Sequence, residues 1–247
     1  MIFSKKIEFS STEEYVDLKQ DYPKPAKYFT PEWFKKLNHS IKEMTVKGCM
    51  PFLDTLTTGY ILSVPQDYII RHNVMNEEAK KLDAFQSSSL MYYNYPPMGI
   101  NLSQKVEVHS TNQLAGSPLI EKNKNLPFHK IMNPWLIKTP PGYSCLFVPP
   151  LNNKDDRFEI LPGIVDTDTY EKEVNFPIVI NGDKYPSLDT IIKKGTPYVQ
   201  VIPFKRNDWE MKIKVRDEKK YKPWQFFYRL KLIHAYKTFF WKKKNYK

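Results

Sequence analysis

Glycine is scarce in this chain, at 8 of 247 residues, while proline reaches 20. So few glycines argue against a doubly wound nucleotide-binding fold, and neither GxGxxG nor a GxxxxGKS/T loop occurs. Frequent proline suits short strands joined by stiff loops. Cysteine is rarer still: Cys49 and Cys145 show no CxxC or Cys/His spacing, so neither a disulfide framework nor a zinc site is expected and both read as reduced thiols. No apolar run approaches the roughly 18 to 20 residues of a membrane-spanning helix. Met1-Ile2-Phe3-Ser4-Lys5-Lys6 lacks the apolar core of a signal peptide, which makes an intracellular, cytoplasmic location the expectation. What is present is material for a packed core. Apolar residues make up 41%, aromatics 15% and charged residues 26%, and the length suffices for one large or two modest domains.

The charge is concentrated. Net charge is +11, yet residues 219–247 hold ten Lys or Arg and no Asp or Glu, so the rest of the chain is nearly balanced. The same segment holds ten aromatics. Phe226, Leu230, Ile233, Tyr236 and Phe240 recur at steps of 4, 3, 3 and 4, which places them on one helical face, and Pro223 suits the first turn. A face that wide requires cover. A basic aromatic C-terminal helix over 219–247, docked on the body or on another subunit, is therefore expected. Its partner-binding residues would be Trp224, Phe227, Arg229, Lys231, Phe240, Trp241, Lys242, Lys243 and Lys244. Interleaved bases and aromatics also leave single-stranded nucleic acid or an anionic membrane as occupants.

Residues 1–30 read as an irregular lead-in held extended by Pro23 and Pro25. Thr30-Pro31-Glu32-Trp33 then predicts a short helix through Leu37, with Thr30 as N-cap. Cys49–Thr58 predicts a second helix, ended by Gly59 and followed by a strand over Tyr60–Val64. Asp54 near Cys49 on that helix is compatible with a reactive pair, but packing is the preferred reading of the thiol. Residues 77–130 carry turn signals such as Tyr95-Pro96-Pro97-Met98-Gly99 without clear boundaries. From 131 to 205 short β-type runs recur between Pro, Gly, Asn and Asp: Trp135–Ile137, Ser144–Val148, Glu159–Leu161, Phe176–Ile180, Ile191–Ile192 and Tyr198–Ile202. This spacing predicts an all-β sandwich or barrel-like unit. Lys154-Asp155-Asp156-Arg157 reads as a solvent-facing loop. His39, His72, His109, His129 and His234 are dispersed without a nucleophile or metal partner at local spacing, and read as surface or core histidines.

Two resemblances add to this. Pro31-Glu32-Trp33-Phe34-Lys35-Lys36-Leu37, Lys47–Asp54, Gly59-Tyr60-Ile61, Val174-Asn175-Phe176-Pro177 and Phe240-Trp241-Lys242-Lys243-Lys244 resemble an uncharacterised family carried by tailed phages and some bacteria. Three further blocks resemble the trimeric dUTPase and dCTP deaminase superfamily with its β-clip fold: Thr139-Pro140-Pro141-Gly142-Tyr143 with the strand to Pro149, Gly163–Tyr170, and Gly195–Ile202. That resemblance implies Asp166 as the carboxylate that orients the attacking water, and Gln200, Asp168 and Tyr170 as ligand-binding residues, with Mg²⁺ as cofactor if the site is an enzyme's. The chain departs from the family where chemistry needs help. Pro150-Leu151 stands where the family has Arg-Ser, Thr169 separates Asp168 from Tyr170, and the tail has no glycine-rich lid.

The expectation is thus a mainly β protein: a dUTPase-like β-clip core over 131–210, an N-terminal region over 1–130 with short helices and strands, and the basic aromatic C-terminal helix. The leading function is a phage-encoded, non-catalytic structural or assembly protein of the host cytoplasm or the virion. It would need no cofactor, and it would self-associate or bind a protein partner through the tail, as a trimer if the β-clip assembly holds. The rivals are a deoxynucleotide pyrophosphatase or sensor using Asp166 and Gln200, and a nucleic-acid-binding accessory protein.

Overall fold

Runs of β-branched and aromatic residues bounded by Pro, Gly and Asn make this protein mainly β. The structure, a computed structural model, describes residues 5–13, 16, 22–73, 89–94, 103–105, 108–229 and 234–247. The first half contributes β1 (Glu8–Ser10), β2 (Lys24–Pro25), β3 (Tyr60–Ser63), β4 (Tyr68–Asn73), β5 (Ser89–Asn94), β6 (Ser103–Lys105), β7 (Val108–His109) and β8 (Phe128–Ile131). The second contributes β9 (Leu136–Lys138), β10 (Tyr143–Val148), β11 (Phe158–Ile160), β12 (Gly163–Val165), β13 (Phe176–Ile180), β14 (Ser187–Ile192) and β15 (Pro197–Lys205). Helices are short: α1 (Glu32–Lys36), α2 (Met50–Thr57), α3 (Pro118–Lys122) and α4 (Glu218–Arg229).

Among the described residues the strands form sheets of order β12-β10-β15-β3-β2, β11-β13-β8-β7 and β14-β4-β5-β6, with β1 paired to β9. β15 runs antiparallel to β10 from Lys205 opposite Tyr143 to Gln200 opposite Val148, and to β3 with Val201 opposite Tyr60. Tyr198, Val199, Gln200 and Val201 are consecutive and all buried, so both faces of β15 are covered. On one side Phe176 of β13 packs against Phe147 of β10 at 5.4 Å and edge-on against Tyr198 at 5.7 Å, joining two sheets through aromatic contacts. Tyr68 and Ile70 of β4 and Leu188 and Ile192 of β14 complete the same core.

The 131–205 segment is therefore not closed on itself. β3 lies beside β15, β4 beside β14 and β1 beside β9, so strands from the first 130 residues supply neighbours for the later ones. β1 and β2 lie inside the stretch expected to be irregular; β1 alternates Glu8-Phe9-Ser10, a pattern too short to stand out in sequence. Phe9 meets the Tyr60 ring edge-on at 5.4 Å.

The predicted helix after Pro31 and the helix-Gly-strand unit at 50–63 are present, with two differences. Pro31, not Thr30, occupies the cap of α1; the Thr30 hydroxyl instead donates to the Lys27 carbonyl at 2.9 Å, closing the preceding 3₁₀ turn. Cys49 caps α2 with an exposed thiol, whereas Cys145 is buried and receives the Thr167 hydroxyl. Gly59 has φ +75°, and a Cβ there would sit 2.1 Å from the Val201 carbonyl oxygen, so only glycine lets the α2–β3 turn lie against β15. The tail departs further. α4 starts at Glu218 and holds Pro223 in its interior, and His234 has φ +71°, a left-handed conformation that no right-handed helix continues through. The expected single helix is thus two pieces, α4 and a π-helical turn over Tyr236–Phe240, and residues 230–233 with Lys231 lie outside the described residues. The 154–157 loop also turns inward in part: Arg157 grips Asp155 at 2.7 Å and reaches the Thr190 hydroxyl at 3.1 Å.

His72 on β4 is fully buried, and desolvation depresses its pKa from 6.5 to about 4. As pH falls, the unfolded chain takes up this proton before the folded one. Stability carried by the neutral ring is then complete above about pH 6.5 and declines toward pH 4, by up to about 3 kcal/mol. Urea unfolding across this range should show the decline, flattened in His72→Gln; parallel profiles for the two proteins would contradict it.

Candidate functional site

The register of β10 against β12, Cys145 opposite Val165, sets the Asp166–Thr169 turn beside Gly142 and Ser144. The backbone makes the turn: the Thr169 and Tyr170 amides donate to the Asp166 carbonyl at 3.1 and 2.9 Å. This frees both aspartate side chains to reach neighbouring strands. Ser144 Oγ donates to Asp166 Oδ1 at 2.6 Å, and the Gly142 amide donates to Asp168 Oδ2 at 2.8 Å. Arg206, immediately after β15, donates to Asp168 through both terminal nitrogens, at 2.8 Å to Oδ1, and lies 3.1 Å from Asp166 Oδ1.

The Arg206 guanidinium, with the Gly142 amide, holds the Asp168 carboxyl down at about 2. Arg206 bridges the two carboxylates, the position a divalent cation held by this pair would take. Among the described residues no cluster of three or more His, Cys, Asp or Glu is placed to bind a metal ion. Asp166 remains 61% exposed while Asp168 is 6% exposed. Asp166 is thus an accessible carboxylate beside a hydroxyl and a guanidinium, and Asp168 is a structural anion. Tyr170 is 42% exposed beside them. Because residues 166–169 turn, the face of Tyr170 is set by that turn and not by the strand alternation that Thr169 would shift.

Gln200 is elsewhere. The β10/β15 register puts it opposite Val148 while Ser144 lies opposite Phe204, four residues or about 13 Å away along the strand. Its Oε1 accepts from the Leu151 amide at 2.9 Å, and its Nε2 donates to the Thr55 and Thr58 carbonyls at 3.0 and 2.6 Å. This buried amide ties the end of α2 to the Pro149-Pro150-Leu151 turn. The chain does not bring Asp166 and Gln200 together within one subunit.

A second cluster lies where the tail returns. Phe34 of α1 stacks on Phe52 of α2 at 5.8 Å, and Lys47 Nζ donates to the Lys35 and Leu37 carbonyls at the end of α1. Onto α2 the last residues dock: the Trp241 indole donates to the Asp54 carboxylate at 3.1 Å, Lys244 Nζ reaches it at 2.5 Å, and the Tyr246 ring meets Tyr60 edge-on at 5.7 Å. His39 and His234, 195 positions apart, bring their rings to 5.2 Å. Asp54 therefore serves as the tail's anchor rather than as a partner of Cys49. Of the expected partner-binding residues, Trp241 and Lys244 reach Asp54 and Phe240 stacks on Tyr236 at 6.3 Å, while Lys242 and Lys243 are exposed. Trp224, Phe227 and Arg229 lie on α4.

The most unusual surface lies at residues 207–217, between β15 and α4, which sequence reasoning passed over. These residues are all exposed, and among the described residues none of their amides or carbonyls joins a strand. Trp209, Met211, Ile213 and Val215 are 88%, 84%, 86% and 99% exposed. Glu210, Lys212, Lys214 and Arg216 alternate with them. Strict apolar/charged alternation is the pattern of a half-buried strand, and it was readable from sequence. No protein-family model and no curated protein sequence matches the chain. Among the described residues no helix is long and apolar enough to cross a membrane.

Two outcomes are expected. Gln200→Leu leaves the Leu151 amide and two carbonyls without their partner and should lower unfolding stability by about 2–4 kcal/mol in a urea titration; an unchanged midpoint would contradict this role. Arg206→Gln should raise the Asp168 carboxyl from about 2 toward the ordinary 3.8 in an NMR titration. Since a depressed carboxylate stabilises above its unfolded pKa and loses that contribution as pH falls through its folded value, the same variant should be less stable than the parent above about pH 4, with the gap closing as pH falls toward 2.

Proposed function

We propose that this is a non-catalytic assembly protein of a tailed phage, built on a dUTPase-like β-clip scaffold, that attaches to another polypeptide through its C-terminal extension. The observation that carries the reading is the run of apolar side chains at 209, 211, 213 and 215, each at least 84% exposed. Apolar surface presented so regularly is a mark of an interaction element. The β-clip assignment is supported by the three resembling blocks falling on neighbouring strands, β12, β10 and β15, of one sheet. The phage assignment is supported by convergence of four of the five other blocks: those containing Phe34, Phe52, Tyr60 and Trp241 lie on α1, α2, β3 and the segment docked on them. A non-catalytic role is supported by Asp168 and Gln200 being spent on contacts within the chain.

One observation favours a second reading, a nucleotide-binding enzyme: Asp166 is open to solvent beside Ser144 and Arg206. Two measurements separate them. A photo-crosslinking amino acid in place of Ile213 should capture a second polypeptide chain in the cells that make the protein. A panel of deoxynucleoside and ribonucleoside triphosphates with Mg²⁺ should give neither turnover nor thermal stabilisation. Turnover lost in Asp166→Ala, or absence of any intermolecular cross-link, would overturn the assembly reading.

A further inference from the structure

The attachment reading leaves the partner of the arm open, and the arm's own charge order specifies one. Along its polar face, acidic residues come first and basic residues last: Asp208 and Glu210, then Lys212, Lys214 and Arg216. A segment with that order is complementary to a reversed copy of itself. We propose that residues 208–216 pair antiparallel with the same segment of a second copy of this chain, about a two-fold axis through Lys212, forming the core of a homodimer. This rests on the attachment reading and names its partner.

The register follows from three requirements. Apolar residues must face apolar residues, which restricts the pairing to slips of two. With Lys212 on the axis, Trp209 lies opposite Val215 of the second copy and Met211 opposite Ile213. On the other face, Asp208 lies opposite Arg216 and Glu210 opposite Lys214, each twice by symmetry. Lys212 meets its own copy on the solvent side, where both ammonium groups stay hydrated. Sliding one way places Lys212 against Lys214 twice. Sliding the other way leaves Val215 opposite Asn207 and sets Arg216 against Arg206, which is already committed to Asp168. Parallel pairing would set every charge against its own kind.

A two-stranded ribbon is marginal in water unless its apolar face is covered. α4 begins at Glu218, directly after the arm, and carries Tyr221 and Phe226 at 44% and 61% exposure. Folded over the ribbon, the two copies of α4 supply that cover. In the single chain Arg216 leans on Glu218 at 2.5 Å through an exposed contact, which an exchange for Asp208 of the second copy would cost little to break.

The test uses the full chain and its mass in solution by sedimentation, with thermal unfolding to monitor the body. The intact protein should be a dimer. Met211→Lys with Ile213→Lys should be monomeric with an unchanged melting temperature, since both side chains lie outside the core. Glu210→Lys and Lys214→Glu should each weaken the dimer about tenfold by setting like charges opposite twice, and together they should restore it. In a Cys49→Ser background, Lys212→Cys should cross-link to its own copy on oxidation. A dimer that survives the double lysine variant, or a charge exchange that fails to restore it, would overturn self-pairing. A monomer at every concentration, with residue 213 still cross-linking to a different protein in cells, would overturn self-pairing and leave the attachment reading standing. Nucleotide turnover dependent on Asp166 would remove the attachment reading whatever the mass.

Discussion

A strand buried on both faces and central in its sheet must have its backbone hydrogen bonds met by neighbours on both edges. β15 imposes that demand here. One edge takes β10, the other β3, and the second neighbour comes from the chain's first quarter. Gly59 follows from the same demand, because the turn into β3 must lie against the Val201 carbonyl. So does the buried amide of Gln200, which closes the polar groups left at the end of α2 and at the Leu151 turn. Where β15 leaves the sheet, Arg206 clamps the turn after β12, and the alternating arm follows directly after it in the chain.

This arrangement separates two roles that the dUTPase resemblance assigns to one site. Asp166 and Asp168 sit at one end of the β10–β15 pairing and Gln200 at the other. Of the three, only Asp166 presents its functional group to solvent. Arg206, a residue the resemblance did not include, is what neutralises the pair. The chemistry left at that corner is ion-paired and hydrogen-bonded, while the chain's unmet demand, its exposed apolar side chains, lies beyond it in the arm.

Much of the fold was legible. The Phe176–Ile180 strand matches its predicted bounds, and the helix, Gly59 and strand at 50–63 follow from capping and periodicity. What failed has physical causes. β1 and β2 are two or three residues long and give no periodic signal. The aromatic stripe of the tail is helical in spacing, but periodicity does not register a left-handed residue such as His234 or the pull of a distant anchor such as Asp54 on Trp241. Arg157 looked solvated because the two partners that draw it inward, Thr190 and Ile191, are more than thirty residues away. The arm was missed for a different reason: its Trp209–Arg216 alternation is plain, but it lies between a β core and a basic tail, each of which commands attention.

The central claim is that the segment continuing β15 is a strand completed by another chain. Amide hydrogen exchange at residues 208–216, measured over a range of protein concentrations, addresses it most directly. The account predicts slow exchange when the protein is concentrated, lost on dilution, while β10 and β15 stay protected throughout. Fast exchange of the arm amides at every concentration would contradict it.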